Sequence, residues 1–283
     1  MKPIDFKDLN NKIGVITGGG GVIGRSLAMA LGSAGARIAI VDLFKDAADK
    51  VADEVSEKYQ TDCIGIAANV LDKLSLFKAK DEINSKFGRI HFLINGAGGN
   101  HPTATTRQEF IDPDNLQNLE DTFFGLNLEG FRHVFDLNFM GTLLPTMVFA
   151  RDMVEDKKGV ILNISSMNSY RPLTKIPAYS AAKASINNFT EWLAVHFART
   201  GVRVNGIAPG FFLTKQNKFL LMDEKTGELT DRGKKVIVNT PMGKFGEPDD
   251  LQGTALYLLS DVSGFVTGVI IPVDGGFNAY SGV

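Results

Sequence analysis

Five glycines within seven residues, Gly18-Gly19-Gly20-Gly21-Val22-Ile23-Gly24, separate the apolar run Ile13-Gly14-Val15-Ile16-Thr17 from a helical stretch that reaches Ala36. A short apolar run bounded by turn residues reads as a buried strand. Strand, glycine turn and helix, in that order, let a backbone approach a pyrophosphate closely and aim a helix N-terminus at its charge. Glycine turns alone are common, so the flanking strand and helix carry the reading. The next strand, Arg37-Ile38-Ala39-Ile40-Val41, ends at Asp42. An acid about 20 residues beyond such glycines accepts hydrogen bonds from ribose hydroxyls and repels a 2′-phosphate. The plainer alternative makes Asp42 a helix N-cap. Leu43 and Phe44 follow it rather than a base, which favours NAD over NADP, although Lys45 stands close enough to blur the preference.

The alternation continues. A helix over 46–59 leads to a strand over 63–68 that ends at Asn69-Val70. A helix over 73–87 leads to Ile90-His91-Phe92-Leu93-Ile94 and then Asn95-Gly96-Ala97-Gly98-Gly99. Strands alternating with helices predict an α/β fold, a doubly wound parallel sheet with helices on both faces. Composition narrows the function classes. Net charge is −2, which offers no footprint for nucleic acid or an anionic membrane. Cys63 is the only cysteine, so an internal disulfide or a cysteine metal cluster is excluded. No run of about 18 apolar residues exists, and the opening MKPIDFKDLNNK lacks an apolar signal core. The expectation is a cytoplasmic protein without a metal.

The chemistry is carried by Ser165 to Lys183, SSMNSYRPLTKIPAYSAAK. Apolar residues recur at Ile186, Phe189, Leu193 and Phe197, so Tyr179 and Lys183 fall four apart on one helix face. A free tyrosine has a pKa of about 10 and is a poor base at neutrality. A neighbouring cation favours the phenolate; lowering the pKa by about three units is worth roughly 4 kcal/mol, which Lys183 and a positively charged oxidised nicotinamide would supply together. Ser166 follows the strand-like run Val160-Ile161-Leu162-Asn163-Ile164, where a hydroxyl can hold a substrate oxygen while Tyr179 moves the proton. The bland alternative is a buried tyrosine beside a solvated lysine.

Taken together, Thr17-Gly18…Gly24, Asp42, Asn95-Gly96-Ala97-Gly98, Asn138, Ser166, Tyr179xxxLys183, Pro209-Gly210 and Asp274-Gly275-Gly276 make the chain resemble the short-chain dehydrogenase/reductases over nearly its whole length. The resemblance implies one Rossmann-type domain over 1–283 with a seven-stranded parallel sheet. It implies a catalytic tetrad of Asn138, Ser166, Tyr179 and Lys183. NAD would lie against Gly18, Gly21, Val22, Ile23, Gly24, Asp42, Asn69, Val70, Asn95, Ala97, Gly98, Tyr179, Lys183, Pro209, Gly210, Phe212 and Thr214. Two departures stand out. Val22 occupies the place of the family's middle glycine, and Asn69 replaces the usual Asp at adenine.

Asn95 and Asn138 are 43 positions apart, against about two dozen in the family, so 99–136 reads as an inserted loop and helix. A helix over 129–156 is expected to carry Asn138 and to kink near Gly141, because Pro145 lies inside it. Residues 211–245 lack an apolar period and resemble the family's substrate lid. Met147, Phe149, Phe189 and Trp192 offer apolar surface for a homotetramer. Asn100-His101-Pro102, Phe135-Asp136-Leu137-Asn138, Ser166-Met167-Asn168, Arg171-Pro172-Leu173-Thr174-Lys175 and the Ala279-Tyr280-Ser281-Gly282-Val283 end are similar to the short-chain-type D-mannonate oxidoreductases, the fructuronate reductases. That implies an anionic sugar acid held by Ser166, Asn168, Tyr179 and a cation. Arg171 is the first choice for its carboxylate, with Arg132 and His101 as competitors. Another sugar-acid or polyol dehydrogenase, such as gluconate 5-dehydrogenase, is the alternative. The rival class is a non-catalytic Rossmann module, which would be expected to lack the tyrosine or the lysine.

Overall fold

Seven apolar runs become seven parallel strands in the computed structural model, which describes residues 5–213, 218–223 and 226–282. They are β1 (Ile13–Thr17), β2 (Arg37–Asp42), β3 (Cys63–Ala67), β4 (Phe92–Asn95), β5 (Gly159–Ile164), β6 (Val202–Pro209) and β7 (Ile270–Val273). Their order is 3-2-1-4-5-6-7. Direction along the sheet reverses between β1 and β4, which opens a crevice at the C-terminal ends of the strands. The expected Rossmann-type sheet is present.

Side-chain alternation splits the core into two layers. Ile16 of β1 joins Leu27 and Leu31 of α1 (Val22–Ser33), Val51 and Val55 of α2 (Lys45–Tyr59), and the distant Leu258. Val15, its neighbour, faces the other way. It joins Leu76 and Ile83 of α3 (Lys73–Lys86) and residues of two later helices. Each fully buried Leu or Ile contributes roughly 1.5–3 kcal/mol, so both sheet faces are strongly specified.

The expected 129–156 helix runs through three parts. α4 (Leu128–Phe135) passes into a π turn over Asp136–Met140, and α5 (Gly141–Glu155) follows. The predicted kink near Gly141 therefore lies just ahead of it, as a widened turn. Pro145 has no N–H for the Gly141 carbonyl four residues back, and its ring crowds that carbonyl. Such single widened turns recur at functional positions, and this one carries Asn138. The far half of α5 is pinned by Asp152, whose side chain is buried. Its carboxylate takes an ion pair from Lys80 (2.6 Å) and hydrogen bonds from Ile90 N–H and Asn84 Nδ2 (3.1 Å each). Burial opposes ionisation there, but those donors outweigh it and hold the carboxyl below its ordinary range.

α6 (Pro177–Phe197) begins with proline at its first position, which suits the fixed φ of that residue. After β6 come α7 (Lys218–Leu221), α8 (Asp231–Val238), a 3₁₀ turn at Pro248–Leu251 and α9 (Gln252–Leu259). The 99–136 stretch holds only 3₁₀ turns before α4, and Phe110, Ile111, Leu116, Phe123, Phe124 and Leu128 lie exposed along it. Of the four residues expected on an outer face, Met147 and Trp192 are exposed and Phe189 is half-buried. Phe149 instead faces the sheet at 0% exposure. No described helix is long and apolar enough to cross a membrane.

Candidate active site

The tetrad residues meet beside Gly98, at the exit of β4. A Cβ on Gly98 would lie 2.5 Å from Asn138 Oδ1 and 3.3 Å from Lys183 Nζ, so only glycine lets these groups close on the backbone. The Asn138 carboxamide is fixed on both sides. Nδ2 donates to Gly99 O and to Val134 O (2.7 Å each), and Oδ1 accepts from Gly99 N–H (3.2 Å). The π turn thus clamps a buried asparagine onto the Gly98-Gly99 turn.

Ser166 follows β5 and is 7% exposed, with its Oγ accepting from Asn168 N–H at 3.2 Å. Its hydroxyl neighbours the Tyr179 phenol, on which it acts to favour ionisation. Tyr179 lies half-buried, packed in a small cluster with Ala104, Phe131, Val134 and Ala178, so the inserted segment forms one wall around the phenol. Lys183 is 4% exposed and donates to Ile164 O at 2.8 Å. Its Nζ stands 5.6 Å from the centre of the Tyr179 ring.

Electrostatics here differ from the sequence expectation. Burial raises the Tyr179 phenol, with the Ser166 hydroxyl working the other way. Burial also pushes the Lys183 ammonium down to about 7. Both shifts favour neutral forms, so desolvation outweighs the expected lowering of the tyrosine by the lysine. Lys183 Nζ lies over the ring face and is engaged by a main-chain carbonyl.

The glycine turn and Asp42 stand at the other end of the crevice. α1 begins at Val22 with Gly21 as N-cap and no acidic side chain in its first turn. Val22, in the middle-glycine position, is 37% exposed and points away from the turn's packed side. Gly24 cannot be replaced cheaply, since its Cβ would meet Gly18 O and Gly19 Cα at 2.6 Å. Asp42 Oδ2 accepts from Gly20 N–H (3.1 Å) and Oδ1 from Phe44 N–H (3.2 Å). The N-cap of α2 is Phe44, so the N-cap alternative for Asp42 fails. Lys45 is paired with Asp49 and does not approach Asp42's carboxylate as an ion pair.

Several expected contacts fall differently. Asn95 is buried in a polar ladder behind the site, donating to Thr146 Oγ1 (2.9 Å) and Asn163 Oδ1 (2.8 Å), while Asn163 donates to Thr190 Oγ1 (2.9 Å). The Asn95 Nδ2 is thereby committed, while its buried Oδ1 has no hydrogen-bond partner among the described residues. Asn69 holds its own turn, accepting from Leu71 N–H at 2.9 Å. Val70 is buried against Gly141. Ala97 adjoins Gly18 across the crevice, and Pro209, Gly210 and Phe212 follow at the end of β6. Thr214 lies outside the described residues. Arg171, expected over the substrate, is exposed and its Nε donates to Asn278 O at 2.8 Å. Arg132 is exposed on α4, and His101 Nδ1 accepts from Thr103 N–H (3.3 Å) with its ring edge-on to His133. Asn163 and Thr190 were not expected to matter. The signal was an asparagine in the middle of an otherwise apolar buried strand, which demands a partner.

A fold of this order, with a glycine turn at one end of its crevice and Asn, Ser, Tyr and Lys converging at the other, defines a dinucleotide-linked oxidoreductase. A family model described as enoyl-(acyl carrier protein) reductase matches residues 19–278, and the chain belongs to the short-chain dehydrogenase/reductase family. Among relatives, the chain is 49% identical over 278 residues to "Uncharacterized oxidoreductase UxuB" of Bacillus subtilis (strain 168), covering 98% of each. It is 33% identical over 276 residues to 5-keto-D-gluconate 5-reductase of Escherichia coli (strain K12), covering 96% of this chain and 97% of the relative. A crystal structure of a candidate D-mannonate oxidoreductase from Haemophilus influenza, with bound NAD, superposes with a TM-score of 0.92 at 50% identity, covering 98% of each chain.

Proposed function

We propose that this enzyme uses NAD to interconvert D-mannonate and D-fructuronate at the C5 hydroxyl. The observation that carries the reaction type is the convergence of Asn138, Ser166, Tyr179 and Lys183 beside Gly98. The substrate reading is supported by the likeness to the Haemophilus influenza protein. The likeness to the gluconate reductase supports a second reading, a related 5-keto sugar acid.

The residues present fit a dinucleotide. A Cβ on Gly21 would meet only Gly18 O at 3.3 Å, so the turn is open above, and the first α1 amides of Val22, Ile23 and Gly24 carry the helix's positive end there. Asp42 would take the adenosine ribose, Asn69, Val70, Asn95, Ala97 and Gly98 the middle, and Pro209, Gly210, Phe212 and Thr214 the nicotinamide side. Bound NAD supplies the hydride acceptor. In the phenolate form, which the positive charge of a bound nicotinamide would favour against burial, Tyr179 Oη takes the proton from the substrate hydroxyl, and Ser166 Oγ holds that oxygen in place. Lys183 steadies the phenolate and, with the clamped Asn138 carboxamide, gives the proton a way out. Asn168 borders the substrate. Arg132 and His101 in the inserted wall, and the terminal nitrogens of Arg171, are the candidates to meet the carboxylate.

With D-mannonate, kcat/KM for NAD is expected to exceed that for NADP by about tenfold or more, a difference of about 1.4 kcal/mol. Initial rates with both cofactors check this, and equal or better efficiency with NADP would refute the Asp42 assignment. The exposed Met147 and Trp192, with Phe189 stacked on Trp192, support pairing of α5 and α6 between copies in a homotetramer. Light scattering is expected to give the mass of four chains, and a monomer at micromolar concentration would sink that assembly. A cytoplasmic setting suits a chain whose single cysteine, Cys63, can form no internal disulfide.

A further inference from the structure

The loop that carries Ser166 is tied to the far end of the chain. Ser166 opens a 3₁₀ turn, Met167–Ser169, and the two residues after it both reach outward. Tyr170 Oη donates to Ile270 O at 3.0 Å, and Arg171 Nε donates to Asn278 O at 2.8 Å, across 100 and 107 positions of sequence. The receiving segment is itself well defined. Asp274 Oδ1 accepts from Gly276 N–H (2.9 Å) and Oδ2 from Asn278 N–H (2.7 Å). Gly275 and Gly276, at φ 63° and 90°, reverse the chain between them. The same turn grips the surroundings of the site twice more. Phe277 meets Phe211, beside Pro209-Gly210, edge-to-face at 5.3 Å, and Met242 N–H donates to Gly275 O at 3.1 Å.

From this we infer that the Asp274–Tyr280 turn is a positioning element for Ser166, and that Arg171 is the positioning residue through which it acts. This rests on the reading of Ser166 as the residue that holds the substrate oxygen. A carbonyl acceptor fixes one guanidinium nitrogen and leaves the loop in one place. The bond uses one of the five N–H donors of Arg171, so a kinetic readout separates an anchor from a carboxylate clamp. Two outward hydrogen bonds, on adjacent residues, set the height of a four-residue turn whose first member is the reacting serine. Small displacements at such a place are costly to rate and nearly silent in cofactor binding.

The test compares Arg171→Met, Arg171→Lys and Phe277→Ala with the wild type in the full-length enzyme. One readout is kinetic, with D-mannonate and NAD. The other is amide hydrogen exchange of the loop, whose Ser169, Tyr170 and Arg171 N–H groups bond to Ser166 and Met167 carbonyls within the turn. Arg171→Met is expected to lower kcat about ten- to a hundredfold at nearly unchanged KM and NADH affinity, and to speed exchange of those three amides. Arg171→Lys, which keeps a donor, should recover part of both losses, and Phe277→Ala should move both in the same direction. Unchanged exchange in Arg171→Met would overturn the inference, as would a loss confined to KM, which is the mark of a carboxylate clamp. If the wild type turned over no sugar acid, the functional reading would fall, while the exchange measurement would still decide whether the tail holds the loop.

Discussion

Tyr179→Phe is expected to lower kcat/KM by about 10³-fold while leaving the fold and NADH affinity intact. The substitution removes one oxygen and keeps the ring that packs against Ala104, Phe131, Val134 and Ala178. No other described titratable group is placed to replace it. Lys183 is held by Ile164 O, and the Ser166 hydroxyl is far too weak a base. Steady-state rates, NADH fluorescence titration and a thermal melt separate the three quantities. A variant within tenfold of wild-type activity would mean that the proton goes elsewhere.

Lys183→Met should show its effect in stability as well as in rate. Burial places the folded-state pKa of Lys183 at about 7, against an ordinary 10.5. Between those values the unfolded chain holds a proton that the folded chain lacks, so this group makes wild-type stability rise as pH climbs through the window. Below about pH 7 both states carry the proton, and the full penalty of a buried cation, about 5 kcal/mol, is present. Methionine removes that penalty but leaves the Ile164 carbonyl without its donor, which costs about 1–3 kcal/mol. The variant is therefore expected to be about 2–4 kcal/mol more stable than wild type at pH 6–7, with the advantage gone near pH 10, and to have lost nearly all activity. Denaturant melts across that range check the sign. A stability difference that does not change with pH would show that Lys183 is charged throughout in the folded protein.

Much of the frame was legible from the order of residues. Glycine turn, Asp42 and the Tyr179–Lys183 spacing each have local physical causes, because strand, turn and helix geometry place them. Alternation gives a parallel sheet with helices on both faces, while the strand order 3-2-1-4-5-6-7 is a matter of tertiary pairing. What was not legible depends on contacts between distant positions. The π turn at Asp136–Met140 cannot be read from apolar period, because the widened turn hardly disturbs the pattern of the flanking helices. Phe149 and Met147, two residues apart, were expected on one surface, but 100° per residue puts them on opposite sides of α5. Arg171 looked free because its partner, Asn278, lies over a hundred residues away. Desolvation of Tyr179 and Lys183 was missed for a related reason. Two groups that share a helix face were expected to speak mainly to each other, while the tertiary structure buries both more strongly than either charge can offset.

Deuterium placed at C5 of D-mannonate follows the proposed hydride transfer itself. D-mannonate bearing deuterium at C5 is incubated with enzyme and NAD, and both products are read by mass spectrometry. The expected result is singly deuterated NADH formed in step with unlabelled D-fructuronate. Unlabelled NADH, or no NADH while D-gluconate is oxidised freely under the same conditions, would contradict the account.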